Sequence, residues 1–407
     1  MATQAVALRR ALRRAERRRS LGGLALALPL VAFLVVFFLL PILGMFGKAV
    51  DNRELAAAMP KSAEALRGWA GLGPPPEPIV AIVATELKEA HARRQSALVA
   101  QRLNREQPGW RNLILGTARR LPDAPNGTWL STLVELDPAW GEPAIWAGLR
   151  RAAEPWTDVF LLAALDLRRD DHDTIERAPE SERIYLAILA RTFWISALVT
   201  LLCLVLGYPL AYLLASLPER WANPLLILVL LPFWTSLLVR TAAWIVLLQR
   251  EGVLNHFLLE SGLLSEPLAL VFNRTGVLVA MTHVLLPFMV LPLYSVMRGI
   301  PPALGRAALS LGARPTTAFR KVYLPLSMPG VGAGCLLVFI LALGYYITPA
   351  LVGGAADQMI SYFIAFFTLQ TVNWAMAASL ATLLLLATLL LYAVYARLVG
   401  IDRLRLG

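Results

Sequence analysis

The hydrophobic positions of this chain form long unbroken runs, most of which are separated by short polar segments. An apolar run of about 20 residues is long enough to cross a lipid bilayer as an α-helix. Runs of this kind predict six membrane helices, at residues 24–45, 193–214, 225–247, 277–297, 328–347 and 376–396. The pattern therefore predicts an all-α membrane protein with six transmembrane helices.

One region, residues 48–185, breaks this pattern because it is polar and far longer than a loop that only connects two helices. Apolar residues recur in it with helical spacing, as in EPIVAIVATELKEAHARRQSALVAQRLN. Its segments GLGPPPEPI and RLPDAPNGTW are rich in the proline and glycine that separate helices. We expect a mainly helical domain whose small core draws on Trp69, Trp110, Trp129, Trp140, Trp146 and Trp156.

The charged residues indicate how the spans are oriented, because cytoplasmic loops are enriched in Lys and Arg. Seven arginines precede the first apolar run, and loop 298–327 holds five basic residues and no acidic one. The tail from residue 397 has three bases and one acid, whereas loop 248–275 has two bases and three acids. We expect a bacterial inner-membrane protein with cytoplasmic termini and an extracytoplasmic domain at 48–185. Residues 1–47 then form a basic N-terminus and an uncleaved first helix, whose apolar run is too long for a signal peptide.

The composition supports membrane insertion and changes the meaning of the net charge. Of the 407 residues, 57% are hydrophobic and 16% are charged, which is too little polar surface for a soluble fold of this size. The formal net charge of +11 would suit nucleic-acid binding, but residues 51–183 hold 20 acids and 17 bases. The remaining bases flank the apolar runs. This distribution is typical of membrane topology, and we expect no nucleic-acid partner.

The sequence lacks the motifs of several enzyme and transporter classes. It contains no GxxxxGK[ST], HExxH or GxSxG motif, and Cys203 and Cys335 both lie in apolar runs. No Asp or Glu lies in a predicted span, although transporters driven by protons or sodium usually need one there. The histidines have no metal-ligand spacing, and the DDHD cluster at 170–173 is interpreted as a solvated linker. We expect no catalytic site, metal or cofactor in this chain, so uphill transport would need energy from another subunit.

The cytoplasmic loop 298–327 has the features of a short helix that ends at a glycine. Pro302 suits a first helical turn, where its missing N–H costs little. Gly312 suits the left-handed residue that ends a helix. Between them, Ala307 and Ala308 form a small-residue face that allows another surface to approach closely.

A second short helix is expected after Gly312. Pro315 is placed to begin it, and Pro325 is expected to end it before the next span. The loop is thus predicted to be a helix–turn–helix projection into the cytoplasm. The alternative is a basic loop that only sets the topology of the chain.

This loop resembles the signature loop of the membrane subunits of binding-protein-dependent ABC importers, EAA-x3-G-x9-I-x-LP. The residues that match its spacing are Arg306, Ala307, Ala308, Gly312, Val322, Leu324 and Pro325. In that family the loop docks into a cleft on a separate ATP-hydrolysing subunit and transmits the closure of that subunit to the membrane helices. Two residues differ here, since Arg306 replaces a glutamate and Val322 an isoleucine. The resemblance implies ATPase coupling, and Arg306 implies an acidic or neutral partner surface.

Residues 185–407 resemble the spermidine/putrescine importer permeases, in segments such as RTFWISALVTLLCLVLGYPLAYLLA and LVFILALGYYITPALVGG. The resemblance implies the type I ABC importer permease fold for a core at 186–407, with the domain at 48–185 inserted between helices 1 and 2. It also implies partners, namely two copies of an ATP-binding subunit that carries ATP and magnesium, a second permease and an extracytoplasmic solute-binding protein. Permeases for opines, aminoethylphosphonate or iron are similar, so the solute is expected to be a polyamine or one of these.

Several residues in the predicted spans are candidates for a translocation path. A charged residue such as Arg240 is costly inside a membrane and is a functional candidate, the alternative being an arginine that extends to the outer interface. Aromatic rings attract ammonium groups, although each ring alone is equally compatible with ordinary packing. The candidates are Phe233, Trp234, Arg240, Trp244, Tyr345 and Tyr346. Gly353, Gly354 and Asp357 are expected just outside the fifth span, where a binding protein would dock.

Two other function classes are compatible with the sequence. One is a channel or a scaffold that has no ATPase partner. The other is an enzyme with its site in residues 48–185, which contain no convincing catalytic motif. The domain at 48–185 has three possible roles. It could contact the binding protein, cap the pathway or stabilise a pair of permeases.

Overall fold

The computed structural model describes residues 27–69, 73–170 and 174–399, and over these ranges the chain is predominantly helical. It divides into two compact units, Met1–Phe160 and Leu161–Gly407. The division falls after Phe160, whereas the sequence placed the end of the inserted domain at 185. The N-terminal arginines, residues 171–173 of the DDHD cluster and the tail from residue 400 lie outside the described residues.

The first unit contains an apolar helix followed by a set of shorter helices. Helix α1 is Ala27–Val50, which begins at the first described residue of the predicted first span. The helices that follow are α2 Glu54–Ala58, α3 Pro60–Arg67, α4 Glu77–Ala92, α5 Ser96–Leu103, α6 Trp110–Arg120, α7 Trp129–Leu136 and α8 Pro143–Ala153. Of the two proline- and glycine-rich segments, residues 73–76 lie directly before α4, and residues 121–128 lie between α6 and α7, as expected.

Tryptophans form the centre of the core of the first unit. Trp140 and Trp146 are fully buried with ring centroids 5.3 Å apart. The indole N–H of Trp140 donates to Thr117 Oγ1 at 2.9 Å, so the polar atom of this ring is satisfied. The prediction of a tryptophan core is confirmed for the buried Trp110, Trp140 and Trp146, and for Trp69 and Trp129, which pack at its edge. It is wrong for Trp156, which is 62% exposed.

The two ends of the helical domain are hydrogen-bonded side by side. The N–H of Asn52 donates to Pro155 O at 3.1 Å, and the N–H of Thr157 donates to Val50 O at 2.9 Å. The Asn52 side-chain amide also donates to Glu154 O at 2.7 Å. The chain therefore returns, after the last of these short helices, to the residues that directly follow α1.

A buried ionic network lies beneath this junction. The Arg102 guanidinium is fully buried and donates from Nη2 to Glu106 Oε1 at 2.8 Å. Arg151 Nε donates to the other oxygen of Glu106 at 2.9 Å. Glu106 thus neutralises two arginines in a region where an unpaired charge is costly.

The second unit begins with a small polar segment and continues as apolar helices. Helix α9, Val159–Ala164, crosses the division, and the antiparallel strands β1, Leu167–Arg169, and β2, Ile175–Arg177, follow it. The remaining helices are α10 Tyr185–Ser216, α11 Glu219–Leu230, α12 Leu237–Leu248, α13 Val253–Glu260, α14 Arg274–Arg298, α15 Pro302–Ser310, α16 Pro315–Ala318, α17 Leu324–Leu343, α18 Ile347–Val352, α19 Ile360–Leu369 and α20 Trp374–Val399.

The long apolar helices agree with five of the six predicted spans, and the other span is bent. The described residues include five helices long and apolar enough to cross a membrane, which are α1, α10, α14, Pro315–Leu343 and Trp374–Arg397. The predicted span at 225–247 is not one helix, because Glu219–Trp234 and Leu237–Glu260 meet at 99°. Pro232 has no N–H for a regular helix, and Thr235 Oγ1 donates back to the Pro232 carbonyl at 3.0 Å. The chain has six spans if this bent pair counts as one.

The core of the second unit is formed by α10, α14 and α17, which pack against one another. Glycine allows the closest approach of these helices. A Cβ atom at Gly334 of α17 would lie 2.7 Å from Met289 Sδ of α14, and one at Gly207 of α10 would lie 3.0 Å from Met289 Cγ. Small residues at helix contacts are the usual way for apolar helices to pack without a polar interior.

Candidate functional site

The loop between α14 and α17 begins with helix α15, which has the predicted start and end. Pro302 is its first residue, where the missing N–H breaks no hydrogen bond. At the other end, Gly312 has a φ of 85°, which lies in the left-handed region. The N–H of Ala313 donates to Ala308 O at 3.1 Å, and the N–H of Gly312 donates to Leu309 O at 3.0 Å. These two bonds form a Schellman motif that closes the helix.

Helix α15 is exposed along its whole length. None of its residues is buried, and Arg306 and Ala307 are exposed while Ala308 is partly covered. Leu311, immediately after the helix, is 89% exposed, and Leu309 is 46% exposed. A short helix with apolar and cationic side chains exposed together has the features of a surface that another protein covers.

The second half of the loop is continuous with the membrane helix that follows it. Pro315 begins α16, as predicted, but the chain stays helical from Pro315 to Leu343. The prediction that Pro325 ends this helix is therefore wrong. The π-helical turn Phe319–Tyr323 precedes Pro325. Proline lacks an N–H and crowds the preceding turn of a helix. The wider turn of a π-helix accommodates both effects, so the helix continues through Pro325. Motion of the loop can therefore pass directly into α17.

Aromatic side chains join this π turn to α10. The Phe319 ring lies 6.3 Å from Tyr208 and 5.8 Å from Tyr212, edge-on in both cases. Tyr212 also meets Tyr323 edge-on at 5.1 Å. Sequence reasoning missed this cluster, although its signal is present as two aromatic pairs with four-residue spacing, which places each pair on one helical face.

The Tyr208 hydroxyl extends the same contact into α17. It lies 2.9 Å from the Ser327 hydroxyl, which is buried and also donates to the Leu324 carbonyl at 2.8 Å. The motif residues Val322 and Leu324 are partly buried in this part of the chain, and Pro325 is exposed. The signature residues therefore fall into two groups, one on the exposed helix α15 and one at the base of α17.

The candidates for a translocation path occupy three places in the second unit. Phe233 and Trp234 lie in the 3-10 turn at the bend before α12, where Phe233 is 4.9 Å from the Phe288 ring and Trp234 is 71% exposed. Tyr345 and Tyr346 follow the end of α17 at Leu343 and lie between α17 and α18. Arg240 and Trp244 lie on α12.

One of these candidates, Trp244, contacts His283 of α14. The Trp244 indole N–H donates to His283 Nδ1 at 3.1 Å, and the two rings are 5.3 Å apart. Arg240 lies one turn before Trp244 on α12, and its Nε and Nη1 atoms are buried without a hydrogen-bond partner among the described residues. Sequence reasoning missed His283, because a single histidine in an apolar run has no pattern that distinguishes it from a packed side chain.

The backbone of the segment after α18 lies close to neighbouring atoms. A Cβ atom at Gly353 would lie 2.6 Å from Pro349 O, and one at Gly354 would lie 2.8 Å from Phe272 O. Asp357 is buried and accepts a hydrogen bond from Arg274 Nε at 3.0 Å. Its carboxylate is thus paired with the first residue of α14, and the docking role of Gly353, Gly354 and Asp357 stays a prediction. Among the described residues, no group of three His, Cys, Asp or Glu side chains is arranged to hold a metal.

This chain is similar to known proteins. A family model described as "Binding-protein-dependent transport system inner membrane component" matches residues 190–400. The spermidine/putrescine transport system permease protein PotB of Salmonella typhimurium (strain SL1344) is 37% identical over 214 residues, which cover 53% of this chain and 75% of that protein. PotB of Escherichia coli (strain K12) is 37% identical over 214 residues, which cover 53% and 78%.

A chain of a solved structure is also similar to this protein. The crystal structure of a bacterial alginate ABC transporter in complex with alginate pentasaccharide-bound periplasmic protein includes a chain that matches with a TM-score of 0.46 and 16% sequence identity. The match covers 54% of this chain and 80% of the solved one.

Proposed function

We propose that this chain, which belongs to the family of binding-protein-dependent transport system inner membrane components, is the permease subunit of an ATP-driven importer of polyamines such as spermidine or putrescine. The observation that carries the choice of solute is the 37% identity to PotB, which covers three quarters of that protein. A solute-binding protein delivers the polyamine, and a second permease completes the path.

ATP hydrolysis takes place on a separate subunit, present in two copies, which carries ATP and magnesium. The exposed helix α15 supports this proposal, because its Schellman cap at Gly312 presents Arg306, Ala307 and Ala308 away from the core of the unit. The aromatic cluster at Phe319 then links the docked loop to α10 and α17. Closure of the ATPase pair would move these helices together.

The proposed orientation places both termini and α15 in the cytoplasm, as the basic residues of loop 298–327 favour. The helical domain that follows α1 is then extracytoplasmic. The hydrogen bonds that join its two ends at Asn52 and Thr157 support its role as an inserted domain between two membrane helices.

The experiment that tests this function is uptake by the complete complex. The chain is co-expressed with the ATPase, permease and binding protein encoded beside it, and the complex is reconstituted in proteoliposomes with ATP and magnesium on the ATPase side. We expect ATP-dependent accumulation of radiolabelled spermidine or putrescine, and its loss on deletion of residues 303–324. Uptake without ATP would favour a channel. ATP-dependent uptake of an opine or aminoethylphosphonate alone would mean that the protein is an ATP-driven importer of a solute other than a polyamine.

A further inference from the structure

Trp156 is the most exposed of the six tryptophans between residues 48 and 185. The other five are buried or pack at the edge of the core, whereas 62% of Trp156 is exposed. An indole has a large apolar surface and one N–H group, so outside a core it suits a boundary between apolar and polar surroundings. The residues beside Trp156 indicate which boundary this is.

The backbone fixes Trp156 beside the end of α1. Trp156 pairs with Asp51, the first residue after α1, in an antiparallel bridge. The N–H of Thr157 donates to Val50 O at 2.9 Å, and Val50 is the last residue of α1. The exposed indole therefore belongs to a hydrogen-bonded segment and lies at the level where α1 ends.

Helix α1 has the composition of a membrane span. It has 24 residues, and its most apolar window has a mean hydropathy of 2.7. At 1.5 Å per residue it is about 36 Å long, which is slightly more than the hydrocarbon thickness of a bilayer. Its only charged residue is Lys48, in the last turn. The end of α1 therefore reaches the lipid headgroups, which is the boundary where tryptophan is enriched in membrane proteins.

The charged residues at this end of α1 form a small cationic cluster. Asp51 Oδ2 accepts a hydrogen bond from Lys48 Nζ at 3.0 Å, and Asp51 Oδ1 accepts one from Arg53 Nε at 2.9 Å. Arg53, together with Lys48, lowers the pKa of Asp51 to about 2, so two cations and one anion leave a single positive charge. The Lys48 and Arg53 side chains are 63% and 68% exposed. Each has more N–H groups than these bonds to Asp51 use, so the cluster can also bind a second anion.

From these positions we propose that Lys48, Arg53 and Trp156 bind a membrane phospholipid, whose phosphodiester lies against the two cations and whose acyl boundary lies against the indole. The single negative charge of a phosphodiester matches the single positive charge of the cluster. Asn52 accepts a hydrogen bond from the buried Arg102, which connects this lipid contact to the core of the helical domain. The bound lipid then fixes the orientation of that domain on the membrane surface. The inference depends on α1 as a membrane span and does not depend on the transported solute.

The first test measures the depth of position 156 in a bilayer. The full chain carrying Trp156→Cys, with Cys203→Ala and Cys335→Ala, is spin-labelled and reconstituted in vesicles of phosphatidylethanolamine and phosphatidylglycerol. Electron paramagnetic resonance then compares collisions of the label with oxygen, which concentrates in lipid, and with a water-soluble nickel complex. The matched control is Glu135→Cys in the same background, at an exposed residue of α7. We expect position 156 to lose access to nickel and gain access to oxygen relative to position 135.

The second test addresses the cations. The chain with Lys48→Gln and Arg53→Gln is released from lipid nanodiscs into a mass spectrometer that preserves bound lipids. We expect the loss of one bound phospholipid relative to the wild type. Lys61→Gln with Arg111→Gln removes the same charges from exposed positions on other helices of the domain and should leave the bound lipid in place.

Three results would overturn the proposal. One is access of nickel to position 156 equal to that at position 135, and another is retention of all bound phospholipid by the Lys48→Gln, Arg53→Gln chain. The third is protection of position 156 that occurs only when the solute-binding protein is added, which would make this surface a protein contact. None of these measurements requires transport, so absence of polyamine uptake would refute the proposed function and leave this inference standing.

Discussion

Tyr212 of α10 meets Tyr323 of the π turn edge-on, with 5.1 Å between ring centroids and 89° between ring planes. Tyr323 in turn stacks on Phe319 at 5.8 Å, and Phe319 contacts Tyr212 as well. The three rings form a closed contact between two long helices and the loop that carries α15. These packed rings are the route by which we expect motion of α15 to reach α10 and α17.

Tyr212→Leu should uncouple ATP hydrolysis from the membrane helices. The change keeps an apolar side chain but removes two edge-to-face contacts, each worth about 0.5–1.5 kcal/mol beyond burial. We expect solute-stimulated ATP hydrolysis by the reconstituted complex to fall about two- to tenfold, while the ATPase subunit still co-purifies. Tyr212→Phe keeps the ring and should behave as the wild type. Equal rates for Tyr212→Leu and the wild type would show that the cluster transmits nothing.

Gly312→Ala should weaken binding of the ATPase subunit. An alanine at a φ of 85° costs about 1–2 kcal/mol, because its Cβ crowds the following carbonyl in the left-handed region. The Schellman cap would open and α15 would change direction, so we expect about fivefold less ATPase in pull-downs. Gly305→Ala is the matched control, since Gly305 lies inside α15 with open space around it and alanine favours the helix. A similar loss for both variants would contradict the role of the cap.

Arg306→Glu should reveal the charge of the surface that receives α15. Arg306 is exposed, and Arg314, Arg320 and Lys321 are exposed in the same loop. If the partner surface is acidic, reversal of this charge should slow association by about tenfold at low salt, with a smaller effect at high salt. The rates are measured by surface plasmon resonance with the ATPase in solution. Arg220→Glu changes an exposed arginine elsewhere on the chain and should have little effect, and faster association of Arg306→Glu would indicate a basic cleft.

Glu106→Gln should destabilise the helical domain of the first unit. The glutamate is 4% exposed and pairs with Arg102 and Arg151, so the change removes the carboxylate from two buried ion pairs. Breaking such a pair typically costs about 3–5 kcal/mol. We expect a lower melting temperature by near-ultraviolet circular dichroism of the purified full chain, since six tryptophans report on this domain.

The control for that variant is Glu89→Gln. Glu89 is 54% exposed and forms a 3.7 Å pair with Arg93 one helical turn away. Exposed pairs of this kind contribute about 0.3–0.5 kcal/mol, so the melting temperature should change little. A melting temperature for Glu106→Gln that matches Glu89→Gln would mean that the buried network does not stabilise the domain.

Loop 298–327 shows which structural features can be predicted from neighbouring residues in the sequence and which cannot. Pro302, Pro315 and Gly312 act through their own backbone geometry, so their positions at the start of α15, the start of α16 and the end of α15 were predictable from the sequence. The effect of Pro325 was not, because it depends on the π turn that precedes it and on the rings that hold that turn against α10.

The bent span and the site at Arg240 also have features that neighbouring residues in the sequence do not predict. Hydropathy at 225–247 indicates an apolar segment, but it contains no information on the 99° bend at Pro232. Arg240 was identifiable as a charge in an apolar run, whereas His283 became a candidate only through its contact with Trp244. That contact joins residues 39 positions apart in the chain.

The sequence by itself determined the apolar segments, the helix-ending glycine and the family signature. These are properties of composition and of residues close together in the chain, and they keep their meaning in any fold. Only the tertiary structure decided that Tyr208 reaches Ser327 across 119 positions and that Arg240 Nε and Nη1 are buried without a hydrogen-bond partner among the described residues. Such relationships depend on which helical faces pack together, and that choice is made by the fit of side chains distant in sequence.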